Sequence, residues 1–288
     1  GIVNIGVVLS PETAEHIKQT LNENPWGANF EWIVQSAPLG LAHAVGMARE
    51  FIGSDSFVVY LGDNMLGDDI GDLVRDFNKS GSASTIALKA VDEPSAYGVA
   101  EVDSTGKVER VVEKPAEPKS NLAVVGIYCF TPEIFEMIDQ LEPSPRGELE
   151  ITDAIQSLVN RDALVTSMQL DKWWLDCGTP SDFLNANDEI LKNVRETVIS
   201  GETDLSTQIT GSVFIAKNAT VISSELIGPL MIGEGAKILN SRIGPNVSIG
   251  KNSTIDNSTL ERVVVFDSVN LNKNSHLIGK IIAGNGQL

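Results

Sequence analysis

Carboxylates end apolar stretches at two distant places in the chain. Asp63 follows FVVYL in the stretch LGDNMLGDD, and Asp176 follows two tryptophans in WWLDCGTP. A Gly-Asp-Asn sequence is also common turn chemistry, so neither aspartate defines a site alone. Magnesium is usually held by one or two carboxylates together with substrate phosphates. Burying an aspartate beside tryptophans is costly without a cation. We therefore expect Asp63 and Asp176 to hold one Mg²⁺ from two strand ends.

A lysine and a glutamate suited to a sugar phosphate stand side by side in EKP. Lys114 is a point charge that fits a phosphate group, and Glu113 can accept hydrogen bonds from sugar hydroxyls. A surface ion pair is the ordinary alternative for these two residues. The nearby stretch RGELEITD, residues 146–153, is interpreted mainly as helix capping and packing.

The stretch QSAPLGLAHA, residues 35–44, ends a predicted strand and begins a predicted helix. Gly40 permits close approach of a backbone, and the first amides of a helix point outward. Gln35 offers a paired donor and acceptor to a flat ring. A plain loop with a surface glutamine is the alternative, and the stretch alone favours that alternative.

Several catalytic arrangements are missing from the sequence. It contains no glycine-rich phosphate loop, and its three histidines, His16, His43 and His276, are scattered. No spacing suggests a nucleophile paired with a histidine base, so covalent catalysis has no support.

Composition limits the partners and the compartment. The 288 residues carry a net charge of −18, which argues against nucleic acid or an anionic membrane as the main partner. Cys129 and Cys177 match no zinc or redox spacing, so we interpret both as reduced thiols of a cytoplasmic protein. No apolar run approaches the roughly 20 residues of a membrane span, and no signal peptide is visible.

Residues 1–200 alternate between short apolar strands and helices. IVNIGVVL, FEWIVQ, FVVYL and STIALKAV predict strands, LAHAVGMAREFI predicts a helix, and YGVAEVD with VERVVE predicts a hairpin. This pattern predicts an α/β fold with a Rossmann-like, mostly parallel mixed sheet flanked by helices. Ligands of such sheets bind at the carboxyl ends of strands, where Asp63 would lie.

A different period governs residues 205–288. Ile243, Ile249 and Ile255 recur every six residues, with glycine and asparagine between them. A six-residue apolar repeat of this kind is typical of a left-handed β-helix, and residues 209–288 would supply on the order of four coils. Open solenoid ends need covering, so a homo-oligomer is expected.

Taken in order, the motifs QSAPLGLA, LGDN, YGVAE, EKP, NLAVVGIY, RGELEITD and WWLDCGTP resemble the sugar-1-phosphate nucleotidylyltransferases. The likeness covers essentially the whole chain and is greatest to the glucose-1-phosphate thymidylyltransferases that carry a β-helix tail. The resemblance implies Mg²⁺-dependent transfer of a thymidylyl group from dTTP to glucose 1-phosphate, giving dTDP-glucose and pyrophosphate.

The resemblance also implies roles on the nucleotide side of the site. Gln35 and Gly40 would recognise the thymine base. Asp63 and Asp176 would ligate Mg²⁺, and Asn64 would lie beside the metal.

On the sugar side, Gly98 would present its backbone to the hexose, and Glu113 would bind its hydroxyls. Lys114 would neutralise the sugar phosphate, and Val124 would line the pocket. Such transfer needs positioning and charge neutralisation more than covalent help.

One departure from the family pattern is serious. The glycine-rich loop with an arginine that follows the family's first strand does not occur in this sequence. We expect that a piece on the order of 30 residues or more, the size of a βαβ unit, is missing before Gly1. The expectation is therefore a fragment that is inactive or nearly so.

Three alternatives stay open from the sequence. Uridylyl-, guanylyl- or adenylyltransferases on related sugar phosphates are the nearest ones. A nucleotide-sugar-binding protein without turnover would use Gln35, Gly98 and Glu113 and need no metal. An acyltransferase, the third, would need a catalytic histidine in the coils, where His276 stands alone.

Overall fold

The chain forms two compact units, residues 1–174 and 175–288. The computed structural model describes residues 2–22, 24–272, 274–284 and 286–287. The sequence predicted domains 1–200 and 205–288, so the division falls earlier than expected. The reason is the helix Pro180–Leu191, which packs on strands of the second unit through Leu184, Val264 and Ile281.

The first unit contains six α-helices and one 3₁₀ turn, Pro94–Ala96, among its described residues. The helices are α1 (Ala14–Leu21), α2 (Leu41–Met47), α3 (Arg49–Ile52), α4 (Ile70–Ser80), α5 (Ile134–Ile138) and α6 (Ile151–Asn160). The strands are β1 (Asn4–Leu9), β2 (Asn29–Val34), β3 (Phe57–Tyr60), β4 (Asn64–Leu66), β5 (Ser84–Ala90), β6 (Gly98–Val102), β7 (Val108–Glu113), β8 (Leu122–Phe130), β9 (Val165–Gln169) and β10 (Trp174–Asp176), whose first residue closes the unit.

A mixed six-stranded sheet is the centre of the first unit, with β8 in its middle. One edge of β8 pairs with β5, and the other pairs with β6 and then with β3, always antiparallel. Because β9 runs parallel to β5, the strands β3, β5, β6 and β9 share one direction, and β7 and β8 oppose it. This agrees with the predicted mixed sheet, and the predicted hairpin is β6–β7. Strands β1 and β2 form a separate parallel pair.

Apolar residues cover both faces of this sheet. Helices α2, α5 and α6 bury one cluster, which includes Ile86, Phe130 and Leu158. Helix α4 buries the opposite face against Val125 and Ile127 of β8. Strand β8 is therefore buried on both sides, as its nearly continuous apolar sequence requires.

The second unit is a β-solenoid that follows helix α7 (Pro180–Leu191). Thr179 caps this helix by accepting a hydrogen bond from the Asp182 amide at 3.2 Å, and Pro180 occupies its first position. The solenoid strands are β11 (Val198–Ile199), β12 (Glu202–Thr203), β13 (Gln208–Thr210), β14 (Val213–Ile215), β15 (Thr220–Ile222), β16 (Glu225–Ile227), β17 (Leu230–Ile232), β18 (Lys237–Leu239), β19 (Arg242–Ile243), β20 (Val247–Ile249), β21 (Thr254–Asp256), β22 (Thr259–Val265), β23 (Asn270–Leu271), β24 (His276–Ala283) and β25 (Gly286–Gln287).

Each strand from β11 to β22 pairs in parallel with a strand one coil later, whereas β24 and β25 form an antiparallel pair. Gln208 pairs with Glu225, so that coil takes 17 residues. The predicted repeat residues Ile243, Ile249 and Ile255 are all buried in one apolar core. The solenoid has about five coils, one more than expected, because strands begin at Val198 rather than near residue 209. Its left-handed sense stays a prediction.

Asparagines and serines recur at the corners of the coils, and the hydrogen-bonded serines form a serine ladder. Six asparagines adopt positive φ there, as the frequency of asparagine in this region suggested, at Asn218, Asn240, Asn246, Asn252, Asn257 and Asn274. Inside another corner, buried serines are linked by hydrogen bonds. The Ser241 amide donates to Ser224 Oγ, and the Ser258 amide donates to Ser241 Oγ, each at 3.1 Å.

No helix in the part of the chain that the structure describes is both long and apolar enough to cross a membrane.

Candidate functional site

The candidate site lies where strand β8 changes its partner. Tyr60 at the end of β3 pairs with Ile127, whereas Val99 at the start of β6 pairs with Ala123. Gly126 lies between these pairs at φ 34°, and its carbonyl accepts from the Leu61 amide at 2.9 Å. The end of β3 therefore faces the start of β6, and such switch points in α/β sheets leave a crevice for ligands.

Asp63 and Asn64 follow the end of strand β3 and lie at this crevice. Asp63 is exposed, while Asn64 is only 7% exposed. Asn64 Nδ2 donates to Asp63 Oδ1 at 2.8 Å, and Asn64 Oδ1 accepts from Trp174 Nε1. The asparagine thus fixes one oxygen of the carboxylate and leaves the other available to a cation.

Trp174 connects the two sides of the crevice. Its ring lies 5.2 Å from that of Tyr97 in an edge-on arrangement. The Tyr97 carbonyl in turn accepts from the Lys114 amide at 3.0 Å. Lys114 has φ 40° and an exposed side chain. The structure therefore joins Asn64 to the EKP segment through two aromatic rings in edge-on contact.

Gly98, Glu113 and Val124 converge on one point, as the resemblance implied. A Cβ at Gly98 would lie 3.2 Å from Glu113 Oε2, 3.6 Å from Val124 Cβ and only 2.7 Å from Thr152 Cγ2. Gly98 and Glu113 are also paired across the β6–β7 hairpin. These contacts explain why residue 98 has no side chain.

The Glu113 carboxylate is held by polar neighbours although it is largely buried. Its side chain is 21% exposed, and it accepts from Thr152 Oγ1 at 3.1 Å and from Arg146 at 3.3 Å. Desolvation raises the pKa of Glu113, and the nearby Glu150 carboxylate raises it further. The Thr152 hydrogen bond and the charges of Lys114 and Arg146 act in the opposite direction.

Gln35 and Gly40 are placed by contacts within the first unit. Gln35 Nε2 lies 2.7 Å from His43 Nδ1 and donates to the Gly40 carbonyl at 3.5 Å. Gly40 has φ 104°, and a Cβ there would lie 2.6 Å from the Leu149 backbone. The close backbone approach predicted at Gly40 is therefore to Leu149, and recognition of a base by Gln35 and Gly40 stays a prediction.

A cavity of about 1440 Å³ brings Gln35 and Asp63 together. Its walls are mainly apolar residues of β1, α2 and β3, and Gly62 also lines it. This volume exceeds the roughly 300–1,000 Å³ typical of small-molecule sites. Gln35, predicted for the base, and Asp63, predicted for the metal, thus line one cavity.

Asp176 corrects one step of the sequence reasoning. Its side chain is exposed, so the expected cost of burying it beside tryptophans does not arise. Its carboxylate accepts from the Gly178 amide at 3.2 Å. Asp63 belongs to the first unit and Asp176 to the second, and their joint ligation of Mg²⁺ stays a prediction.

The donor set at Asp63 fits a cation that takes most of its ligands from substrate. Among the residues that the structure describes, no group of three or more His, Cys, Asp and Glu side chains could hold a metal. One exposed carboxylate with a free oxygen is the hard donor that Mg²⁺ uses together with phosphates. Asp63 would therefore hold the ion through this oxygen.

Sequence reasoning missed three residues that build the site. Trp174 entered the sequence argument only as a neighbour of Asp176, and the stretch that holds Arg146 and Thr152 was interpreted as capping and packing. Arg146 and Thr152 instead contact Glu113, from which they are separated by 33 and 39 residues in the chain. The signal that could have identified them is the number of charged residues within RGELEITD.

The first unit combines a mixed α/β sheet with this crevice, and a β-solenoid follows it in the chain. Residues 1–193 match the family model described as nucleotidyl transferase. The chain therefore belongs to the nucleotidyl transferase family.

Similar proteins support this class. The chain is 43% identical over 220 residues to the low-salt glycan biosynthesis nucleotidyltransferase Agl11 of Haloferax volcanii, covering 76% of this chain and 61% of that protein. It is 43% identical over 223 residues to a glucose-1-phosphate thymidylyltransferase of Streptomyces antibioticus, covering 77% and 62%. The chain thus spans about three fifths of the length of these curated relatives.

Among solved structures, a Bacillus anthracis protein provisionally assigned as a glucose-1-phosphate thymidylyltransferase, in complex with sucrose, has a TM-score of 0.60 and 35% identity. The match covers 65% of this chain and 76% of that one.

Proposed function

We propose that the protein transfers a thymidylyl group from dTTP to glucose 1-phosphate, giving dTDP-glucose and pyrophosphate. The convergence of Gly98, Glu113 and Val124 beside Lys114 is the observation that carries this proposal. A bare backbone, a carboxylate and an apolar wall are what a hexose needs for close approach, hydroxyl recognition and packing. The thymidylyltransferase of Streptomyces antibioticus supports the choice of base and sugar.

The reaction needs one bond made and one broken at the α-phosphorus of dTTP. A phosphate oxygen of glucose 1-phosphate attacks that phosphorus, and the bond to the oxygen that bridges to the β-phosphate breaks, so pyrophosphate leaves. Lys114 would place its ammonium on the sugar phosphate, because positive φ and the hydrogen bond to Tyr97 fix its backbone. Positioning and charge neutralisation suffice for such a transfer.

Asp63 and Asp176 would hold Mg²⁺, which would supply positive charge to the phosphates of dTTP. Asn64 would keep the Asp63 carboxylate oriented, since it donates to one of its oxygens. Gln35 would read the base from the wall of the cavity that it shares with Asp63.

A related nucleotidylyltransferase is the second candidate. A UDP-glucose pyrophosphorylase in complex with UDP-glucose is 26% identical with a TM-score of 0.58, and the match covers 66% of this chain and 81% of that one. Uridine and thymidine share the face that a glutamine reads, so the two bases need a direct comparison.

The test compares thermal unfolding with dTTP, UTP, GTP and ATP, each with Mg²⁺, and measures pyrophosphate release after adding glucose 1-phosphate. Ligand stabilisation follows affinity, so we expect the largest rise in Tm with dTTP. A larger rise with a purine nucleotide would overturn the base assignment. Binding of dTDP-glucose without any pyrophosphate release would agree with the inactivity expected for a chain without the glycine-rich loop, and the same assay on a chain supplied with that loop then separates a transferase from a binding protein.

The variant D63N provides the matched control. In a chain supplied with the glycine-rich loop, D63N should lose Mg²⁺-dependent pyrophosphate release and still bind dTDP-glucose through Gly98 and Glu113. Normal turnover of D63N with Mg²⁺ would show that the metal assignment is wrong.

A further inference from the structure

Lys89 makes an unusual set of contacts next to the candidate site. It lies near the end of strand β5, pairs with Ala123 and is half-buried. Its ammonium donates to the Leu170 carbonyl at 2.9 Å, to the Asp171 carbonyl at 3.2 Å and to the Lys172 carbonyl. A lysine has three N–H donors, so these three consecutive carbonyls use all of them.

The Lys89 ammonium binds these carbonyls and forms no ion pair with a carboxylate of the residues that the structure describes. None of the ion pairs within the described ranges includes Lys89. Three carbonyl dipoles that point to one place repel each other unless a cation or several donors lie between them. The ammonium therefore fixes the path of the backbone at 170–172.

The fixed segment leads directly into Trp173 and Trp174. The Lys172 amide donates to Asp68 Oδ2 at 2.8 Å, and the Gly67 amide donates to the Trp173 carbonyl at 2.9 Å. A Cβ at Gly67 would lie 2.8 Å from Trp173 Nε1, so the Trp173 ring packs directly against the Gly67 backbone. Segment 170–174 is thus held by Lys89 on one side and by loop 67–68 on the other.

Trp174, at the end of this segment, contacts the residues that hold the candidate metal ligand and the EKP segment. Its indole N–H donates to Asn64, which orients Asp63, and its ring packs on Tyr97, whose carbonyl holds the Lys114 backbone. A shift of segment 170–172 would therefore change the positions of Asp63 on the metal side and of Lys114 on the sugar-phosphate side.

We propose that Lys89 is a positioning residue of the proposed transferase, acting through Trp174 to keep Asn64 and Asp63 in place for a divalent cation. The proposal rests on the proposed function for its metal side. It needs no contact between Lys89 and substrate. Removal of a residue that orients a metal ligand without touching the metal commonly lowers metal affinity by about 10- to 100-fold.

The experiment uses K89M, which keeps the length of the side chain and removes its charge and donors. K79M is the matched control, because Lys79 is exposed at the end of helix α4. All variants carry W26F and W32F, so that Trp173 and Trp174 are the remaining tryptophans. Acrylamide quenching reports the order of segment 173–174, and Mn²⁺ binding followed by electron paramagnetic resonance reports the cation site.

We expect K89M to increase quenching and to weaken Mn²⁺ binding about tenfold, whereas K79M changes neither. K89R keeps the charge and several N–H donors in a different geometry, so it should recover part of both properties. Equal quenching in K89M and K79M would overturn the proposal, and so would a K89R variant that behaves like K89M in both measurements.

A double-mutant cycle with W174F tests the route. If Lys89 acts through Trp174, the loss of Mn²⁺ affinity in K89M/W174F should be no larger than in W174F alone. Additive losses would show that Lys89 acts elsewhere. A parent protein that binds no Mn²⁺ would count against the metal side of the proposed function, while the quenching result would still decide whether Lys89 orders Trp174.

Discussion

At the scale of single residues, Gly98 gives the sharpest steric prediction. In G98A the new methyl group would lie 2.7 Å from Thr152 Cγ2, closer than real side chains pack. We expect a loss of about 1–3 kcal/mol in stability and weaker binding of dTDP-glucose, measured by denaturant unfolding and calorimetry. T152S removes that methyl and keeps the hydroxyl that binds Glu113, so G98A/T152S should recover most of both losses.

G46A is the matched control for this substitution. Gly46 lies inside helix α2, where a Cβ would make an ordinary 3.4 Å contact with Ile138. An alanine in a helix interior is expected to be neutral or stabilising. If G98A were as stable as G46A, the close packing around Gly98 would be wrong.

Glu113 gives a prediction about pH. Its pKa is raised above the ordinary 4.5, mainly by desolvation, so the protonated form is favoured on folding. This contribution to stability is present below the ordinary pKa and is lost as the pH rises through the raised value. E113Q removes the titration, so its stability relative to the parent should improve from pH 4 to pH 7 in urea unfolding. E109Q, at an exposed position of the same strand, should show no such trend.

The site illustrates what local sequence can and cannot provide. Gly98, Glu113 and Val124 were named from motif resemblance, and the structure brings them together. Arg146 and Thr152 were missed because their contacts with Glu113 are formed across the fold and leave no trace in local spacing. The burial assumed for Asp176 was wrong for the same reason, since exposure is a property of the folded chain.

At the scale of elements, strands were easier to predict than helices and boundaries. Strand β3 and strand β5 end within one residue of the apolar stretches that predicted them. The single helix predicted from LAHAVGMAREFI is divided at Ala48 into α2 and α3. The solenoid begins before its six-residue repeat is readable, because the first coil lacks Ile-Gly units and is defined only by pairing with the second.

We predict that the serine ladder stabilises the solenoid. Ser241 is buried, accepts from the Ser258 amide and donates to the Leu239 carbonyl. S241A leaves the buried Ser258 amide without its partner, while the Leu239 carbonyl still accepts from the Asn257 amide, so we expect a loss of about 1–3 kcal/mol in thermal unfolding. S206A serves as the control, because its hydroxyl is exposed and water can replace its partners. Equal stability of S241A and S206A would show that the ladder contributes little.

At the scale of the whole molecule, the two units have separate apolar cores. One surrounds the sheet of the first unit, and the other fills the solenoid. Each core can support its own cooperative transition, since cooperative unfolding follows a shared core. The proposed ligand contacts at Gly98 and Glu113 all belong to the first unit.

Calorimetry with dTDP-glucose tests whether the ligand stabilises only the first unit. We expect two unfolding transitions, of which only the one from the first unit moves in the presence of the ligand. At a concentration of 100 times Kd the stabilisation is about 2.7 kcal/mol, which corresponds to a shift of roughly 5–10 °C for a unit of this size. The deoxyribose form of ADP-glucose, dADP-glucose, differs only in its base and should shift that transition less if Gln35 reads a pyrimidine. A single transition that moves as a whole would mean that the units unfold together, and an unmoved first transition would count against the sugar site.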